Sequence, residues 1–466
     1  MRTKHILFLL LSITGIYSCD LMGDIDQIKP YYQLDEGNAI RDEKTAIQAT
    51  MGIYTGWFER GVLAAFRPCL GIGIGSMGAG GGIWGDEGFS DNTVEPDNRL
   101  LGDVYQALYT IINRANYVIT TLEGNKDFPI DAGKKEELLG ESKFHRAMAH
   151  FYLLRYFGQF YDLDSKYGVV LRNKPFKGTD LDARETVANG YRFILEDLEY
   201  AVGHAPASVS RHCFVSRLTA RALLAKVLLC KGDWEGAARE ANTVIESAAG
   251  VQQQLDSYGN IFRHPYDSPE MLFAPYSTDY GIYWDPRITY GETSRKLADD
   301  LVPGEANDTT GTGLDPRYAF TYAADSLADN PQANGKYPQT TGLTYYYLRL
   351  GEVYYISAEA EVRQGSDHYA LARTRLQAVL DKHCGKNFYD VSGITDGKVL
   401  LETIRQHKWL DLLAEGGEEW FDAVRYHKAG DLDIRTIKPT ITTEHQLTLP
   451  IPKDAMAANN LLVQNP

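Results

Sequence analysis

A chain of 466 residues is long enough for about two or three average domains, and its 44% apolar and 23% charged residues are those of an ordinary globular protein. A formal net charge of −15, with no basic run beyond a few residues, argues against a nucleic-acid partner, because phosphate binding needs clustered Lys and Arg. No G-x-S-x-G elbow, Walker loop or H-E-x-x-H pair occurs, so no catalytic residue is assigned.

Residues 1–18 read as a signal peptide. Arg2 and Lys4 form the basic end, an apolar run extends from Ile6 to Ile16, and small Ser18 precedes Cys19. The run is too short for a permanent membrane span. Ile16-Tyr17-Ser18-Cys19 resembles a bacterial lipobox, which implies lipidation of Cys19. Residues 19–40 are acidic and weakly apolar, as suits a tether between lipid and a folded domain at 41–466.

Residues 41–57 carry Ala46, Ile47, Thr50, Ile53 and Tyr54 at helical spacing. The glycine-rich stretch 71–88 contains a formal G-x-G-x-x-G at Gly73, Gly75 and Gly78. More glycines follow where a dinucleotide fingerprint needs a helix, so it reads as a loop presenting Trp84. A helix is predicted over 102–123 and, after a polar loop, another over 141–158, ESKFHRAMAHFYLLRYFG. In the latter, Phe144, Ala147, Met148, Phe151 and Leu154 form one stripe, and Ala149, Leu153, Tyr156 and Phe157 form an opposing one. A helix apolar on two sides must be packed on two sides. Gly158 is expected to end it in the left-handed conformation.

Residues 166–183 are loop-like and 185–202 helical. The stretch 216–247 reads as helix, Gly-Asp turn, helix, with an alanine seam through Ala222 and Ala225, then Ala237 and Ala241. Residues 345–365 and 370–380 repeat the plan, so the copies look like degenerate tetratricopeptide-like pairs. Between them, 250–341 mixes Pro, Gly and aromatics without helical period, with a strand candidate at 271–274; it reads as an irregular lobe. A helix with Trp409 over 401–413 and the tail 447–466 complete the chain. The fold class is mostly α: a tetratricopeptide-like helical-pair scaffold with a loop-rich lobe carrying a few short strands.

Cys69, Cys213, Cys230 and Cys384 show no CxxC pair and no partner His at zinc spacing, so neither metal nor cofactor is assigned. Cys230 is expected to be a small buried hydrophobe, and disulfide pairing stays open. Glu415, Glu418, Glu419 and Asp422 form an acidic cluster. Glycoside hydrolysis needs two carboxyls facing across a sugar cleft, so adjacent acids at a helix end are expected to be a solvated face. Arg146 and His150 share a helix face in the scaffold, a poor place for a catalytic base.

Several stretches together resemble the SusD/RagB family of outer-membrane nutrient-binding lipoproteins. They are the lipobox Cys19, YQALYTIINRANYVI at 105–119, residues 141–158, SRLTARALLAKVLLCKGDWEGAA at 216–238, YLRLGEVYYISAEA at 347–360, WLDLLAEGGEEWFDAVRY at 409–426 and the ending LPIPKDAMAANNLLVQNP. The resemblance implies a non-enzymatic lipoprotein on the outer membrane, facing the cell surface. It would bind oligosaccharide for a SusC-like TonB-dependent transporter, with a helical scaffold and ligand contacts from loops. Two alternatives are a peptide-binding relative and a glycan-active lipoprotein enzyme.

The family offers no ligand motif that transfers by position, so the binding residues follow from chemistry. A sugar presents an apolar C–H face to aromatic rings and a rim of hydroxyls to Asn, Asp, Gln and Arg. Loops held by a rigid scaffold suit that task. Two loop groups have this make-up: Trp84 with Asp86 and Glu87, and Tyr280, Tyr283, Trp284, Asp285 and Arg287.

Overall fold

Asp42 starts the first helix by accepting a hydrogen bond from the Thr45 N–H, while the Thr45 side chain accepts one from the Asp42 N–H. The structure, a computed structural model, describes residues 39–57, 88–89, 91–124, 128–264, 266–275, 297–302, 313–323, 335–336, 346–413 and 415–466. The helices are α1 (Glu43–Gly56), α2 (Arg99–Gly124), α3 (Ala132–Phe157), α4 (Val187–His204), α5 (Arg217–Lys231) and α6 (Trp234–Ala248). After the short strands β1 (Met271–Phe273) and β2 (Leu348–Arg349) come α7 (Leu350–Gln364), α8 (Tyr369–His383), α9 (Gly397–Leu412) and α10 (Glu418–Ala429).

From α1 to α6 each helix packs on the next in sequence, and α7 then packs against α6, α5, α8 and α9. The reason is visible in α2, whose buried Leu101, Val104, Leu108, Ile111, Ile112, Ala115 and Ile119 recur every three or four residues. Each of these Leu, Ile and Val side chains contributes about 1.5–3 kcal/mol when fully buried. Packed between α2 and α4, α3 buries nearly every residue from Leu138 to Phe157, as its two opposing stripes require. Gly232 ends α5 at φ +83°, and the Asp233 side chain accepts from the Gly236 N–H to start α6, making the tight turn of a helical pair.

Several boundaries differ from the sequence expectations. α3 begins at Ala132, not near 141: Asp131 caps it by accepting from the Lys134 N–H. Gly158 closes α3 in an extended conformation, φ −115°, and not a left-handed one. Glycine is needed there for space, since a Cβ would lie 2.8 Å from Leu154 Cδ1 and 2.9 Å from the Leu154 carbonyl oxygen. α7 begins at Leu350, because Leu348 and Arg349 pair antiparallel with β1, Met271 opposite Arg349 and Phe273 opposite Leu348 across a bulge. Cys213, Cys230 and Cys384 are free thiols, and Cys230 is half-buried against the core where full burial was expected. Among the described residues no helix is long and apolar enough to cross a membrane.

Candidate ligand-binding site

The residues selected from the sequence, Trp84, Asp86, Glu87, Tyr280, Tyr283, Trp284, Asp285 and Arg287, lie outside the described residues, as does Cys19. The structure does describe the points from which their segments leave the scaffold. Trp57 immediately precedes 58–87; Ala274 and Pro275 precede 276–296.

Those two points are neighbours. The Trp57 ring meets Tyr347 with centroids 5.4 Å apart, and Phe273 meets the same tyrosine at 5.7 Å. The Tyr347 N–H donates to the Phe273 carbonyl at 3.1 Å. Fully buried Trp57 donates its indole N–H to His145 Nδ1 on α3, 3.0 Å away. Burial lowers the His145 pKa to about 3, so the ring is neutral and able to accept. Tyr54, one turn earlier, donates to Glu141 Oε2 at 2.5 Å and accepts from the Val215 N–H. The end of α1 is thereby fixed to α3. Sequence reasoning passed over Trp57, His145 and Tyr347; a Trp in the last turn before the glycine-rich stretch was the available signal.

The groups with acid–base potential are occupied by structure. Glu415, Glu418, Glu419 and Asp422 are all buried, not a solvated face. Glu418 accepts from Arg155 and Lys226, each at 2.8 Å. Glu415 accepts from Lys336 at 2.6 Å and Arg349 at 2.7 Å; Asp422 pairs with Lys408 at 2.7 Å and accepts from Arg425 at 2.6 Å. Burial holds the Glu419 carboxyl well above the usual carboxylate range, and the neighbouring Glu418 carboxylate pushes the same way. Arg155 further lies between the rings of Phe151, Tyr152 and Phe421, 4.1 to 4.6 Å from their centroids. Arg146 pairs with Asp197 at 2.7 Å. His150 takes a backbone hydrogen bond on each ring nitrogen, donating to the Arg146 carbonyl and accepting from the Arg172 N–H, and burial lowers its pKa to about 3. Among the described residues no group of three or more His, Cys, Asp or Glu is placed to hold a metal ion.

Two adjoining surface clefts, of about 830 and 860 Å³, run along the outer face of α2. Tyr105, Tyr109 and Phe176 give them aromatic walls, and three of the polar side chains there are engaged with the chain itself. The Tyr109 hydroxyl donates to the Val170 carbonyl at 2.9 Å, and Asn113 bonds both the N–H and the carbonyl of Phe176. Arg172 is taken by Asp182 and the Asp180 carbonyl. These side chains hold the 170–180 segment against α2, in place of a sheet ladder.

What the described residues define is a helical-pair scaffold that pairs its buried charges internally and holds the points where 58–87 and 276–296 leave it side by side. A family model described as starch-binding, associating with outer membrane, matches residues 82–229, and the SusD family model matches 256–466. The chain belongs to the SusD/RagB family. Similar to it is SusD-like protein P2 of Formosa agariphila, 26% identical over 442 residues covering 82% of this chain and 85% of that protein. A SusD superfamily protein from Bacteroides thetaiotaomicron shares the fold with a TM-score of 0.70 at 21% identity, covering 91% of this chain and 100% of the other. A laminarin-binding SusD-like protein shares it with a TM-score of 0.68 at 22% identity, covering 91% and 99%.

Proposed function

We propose that this protein captures oligosaccharide at the cell surface without chemical turnover and passes it to a SusC-like TonB-dependent transporter in the outer membrane. The observation that carries the reading is the meeting of Trp57, Phe273 and Tyr347. It brings together the roots of the segments bearing Trp84 and Trp284. In this reading a sugar rests its apolar face on one of those rings while Asp86, Asp285 or Arg287 takes its hydroxyls, with Tyr280 and Tyr283 beside them. Laminarin binding by a protein of the same fold supports a glycan ligand.

The test starts with a screen of glycans, laminarin among them, and peptides against protein lacking residues 1–19, with product analysis on every glycan bound. Saturable glycan binding without products is expected; turnover would favour the enzyme alternative, and a peptide ligand the other. Trp84→Ala and Trp284→Ala are then titrated by calorimetry. Loss of one stacking ring is expected to cost about 1–2 kcal/mol, roughly ten- to thirty-fold in affinity. Trp409→Ala serves as scaffold control, since Trp409 is buried beneath Arg405. Wild-type affinity in both folded loop variants would place the site elsewhere.

The attachment has its own test. With residues 1–18 removed as signal and Cys19 acylated, residues 19–40 tether the domain to the membrane, so Cys19→Ala should release the protein from the membrane fraction. Retention of a normally processed variant would refute the anchor. Isolation from native membranes in mild detergent should recover the transporter with the lipoprotein.

A further inference from the structure

Four carboxylates, Glu270, Asp315, Asp411 and Glu415, share one buried cluster with Arg317, Lys336 and Arg349, and none of these side chains is more than 6% exposed. Three cations leave the cluster one positive charge short. His383, the last residue of α8, lies inside it with both ring nitrogens facing carboxylates: Nδ1 is 2.7 Å from Asp411 Oδ2 and Nε2 is 2.9 Å from Glu270 Oε2. An ionised carboxylate only accepts, so two such bonds require a proton on each nitrogen.

We propose that His383, held as an imidazolium, is a positioning residue that pins the loop-rich lobe to the helical scaffold and so fixes Ala274 and Pro275, where β1 ends and the segment bearing Trp284 departs. The consequence for ligand binding rests on the function proposed above; the pin itself does not. Glu270 belongs to the lobe just before β1, and Asp411 belongs to α9. Arg349 on β2 joins the same two acids through Nη1 at 2.8 Å and Nη2 at 2.7 Å, and reaches Glu415 through Nε. Arg317 brings in the 313–323 segment through Asp315, Asp411 and the Tyr355 hydroxyl. Lys336 brings in 335–336 by donating to Glu415 and to the Asp411 and Leu413 carbonyls.

The other titratable groups around the pin are accounted for. Tyr355 donates to Asp411 Oδ2, Tyr389 donates to Asp315, and Cys384 lies 4.0 Å from Asp315. The Tyr258 ring is 5.5 Å from the imidazole, and His407 Nδ1 accepts from Arg317. Burial keeps His407 neutral, raises the pKa of Tyr258, Tyr355, Tyr389 and Cys384, and draws the Lys336 ammonium down. At His383 burial works against the charge, but Asp411 and Glu270 outweigh it and raise the pKa to about 9. Gly351 leaves the room for this packing, since a Cβ there would lie 2.6 Å from Glu270 Oε1 and 3.0 Å from His383 Cε1.

A histidine whose folded pKa lies above the unfolded value near 6.5 adds stability in full below about pH 6.5 and loses it as pH rises through about 9. Full chain labelled with ¹⁵N-histidine is followed by NMR from pH 6 to 10. One imidazole should remain doubly protonated at pH 8, and its signal should be absent in His383→Gln. Loss of every imidazolium by pH 8 in the wild type overturns the proposal without need of a variant. Tm should fall more steeply from pH 6.5 to 9 in the wild type than in His383→Gln; parallel profiles overturn it as well. Laminarin titration then reads positioning: wild-type affinity should drop at least tenfold between pH 7 and 9.5, while folded His383→Gln binds weakly at both. Equal affinity of variant and wild type at pH 7 overturns positioning. An imidazolium in a protein that binds no glycan at any pH supports the pin and refutes the glycan reading.

Discussion

Glu141 is 6% exposed on α3, with the Tyr54 hydroxyl 2.5 Å from its Oε2. Burial outweighs that hydrogen bond and the more distant Lys134, and raises the carboxyl pKa from 4.5 to about 7. A folded pKa above the unfolded one means that the folded state favours the protonated acid. The carboxyl then opposes folding least below about pH 4.5, and its cost grows as pH rises to 7. Glu141→Gln keeps an acceptor for Tyr54 and removes the charge. It should stabilise the protein by about 1–3 kcal/mol at pH 8, at roughly 1.4 kcal/mol per pKa unit, and by little at pH 4.5. Urea denaturation at both values checks this; an equal gain at both would show that charge is not the cause. Because Tyr54 also packs edge-on against His145, with centroids 4.2 Å apart, the same substitution leaves the Trp57 root in place only if the Tyr54 ring stays put.

The helices themselves rest on small residues. Ala147 on α3 and Ala225 on α5 have no exposed surface. A tryptophan at either site must push neighbouring helices apart, at a cost of about 1–3 kcal/mol or more. Ala147→Trp and Ala225→Trp should each lower Tm by several degrees in calorimetry; an unchanged Tm would mean that the site relaxes freely. These alanines were legible in the sequence because helical burial repeats at short range, and the same local signal located α1, α2, α4, α5, α6, α8 and α9. The nine residues at the start of α3 were not, since AGKKEELLG offers little apolar period and is held by its Asp131 cap and its neighbours. The fate of Glu415, Glu418, Glu419 and Asp422 was hidden for a different reason. Acids adjacent in sequence look solvated until their partners are known, and Arg155 stands 263 positions from Glu418. For the ligand site, the sequence supplied residue types, whereas the pairing of Trp57 with Tyr347 comes from residues 290 apart.

Across the whole molecule, buried ion pairs join what the apolar faces do not. Lys226 on α5 lies 2.8 Å from both Glu352 on α7 and Glu418 on α10, and Arg155 on α3 shares Glu418. Burial would raise both carboxyls; Arg155 and Lys226 hold Glu418 at about 2, whereas burial prevails at Glu352, whose pKa is raised. Lys226→Met should cost about 3–5 kcal/mol at pH 7, because it strands buried carboxylates. The gap from wild type should narrow on acidification, as Glu352 protonates first. A constant gap from pH 7 to 4 would show that lost packing of the lysine stem is the larger effect.

The same pairs set the order in which the chain can complete itself. Helices packed on their sequence neighbours can associate early, because their contacts close short loops. Arg155 and Lys226 belong to those early helices, yet Glu418 arrives with α10. Until it does, Arg155 lacks its carboxylate partner, while Lys226 has only Glu352 of α7. A nick or deletion that removes 411–425 should accordingly unfold α3 and α5, whose own sequence it leaves untouched.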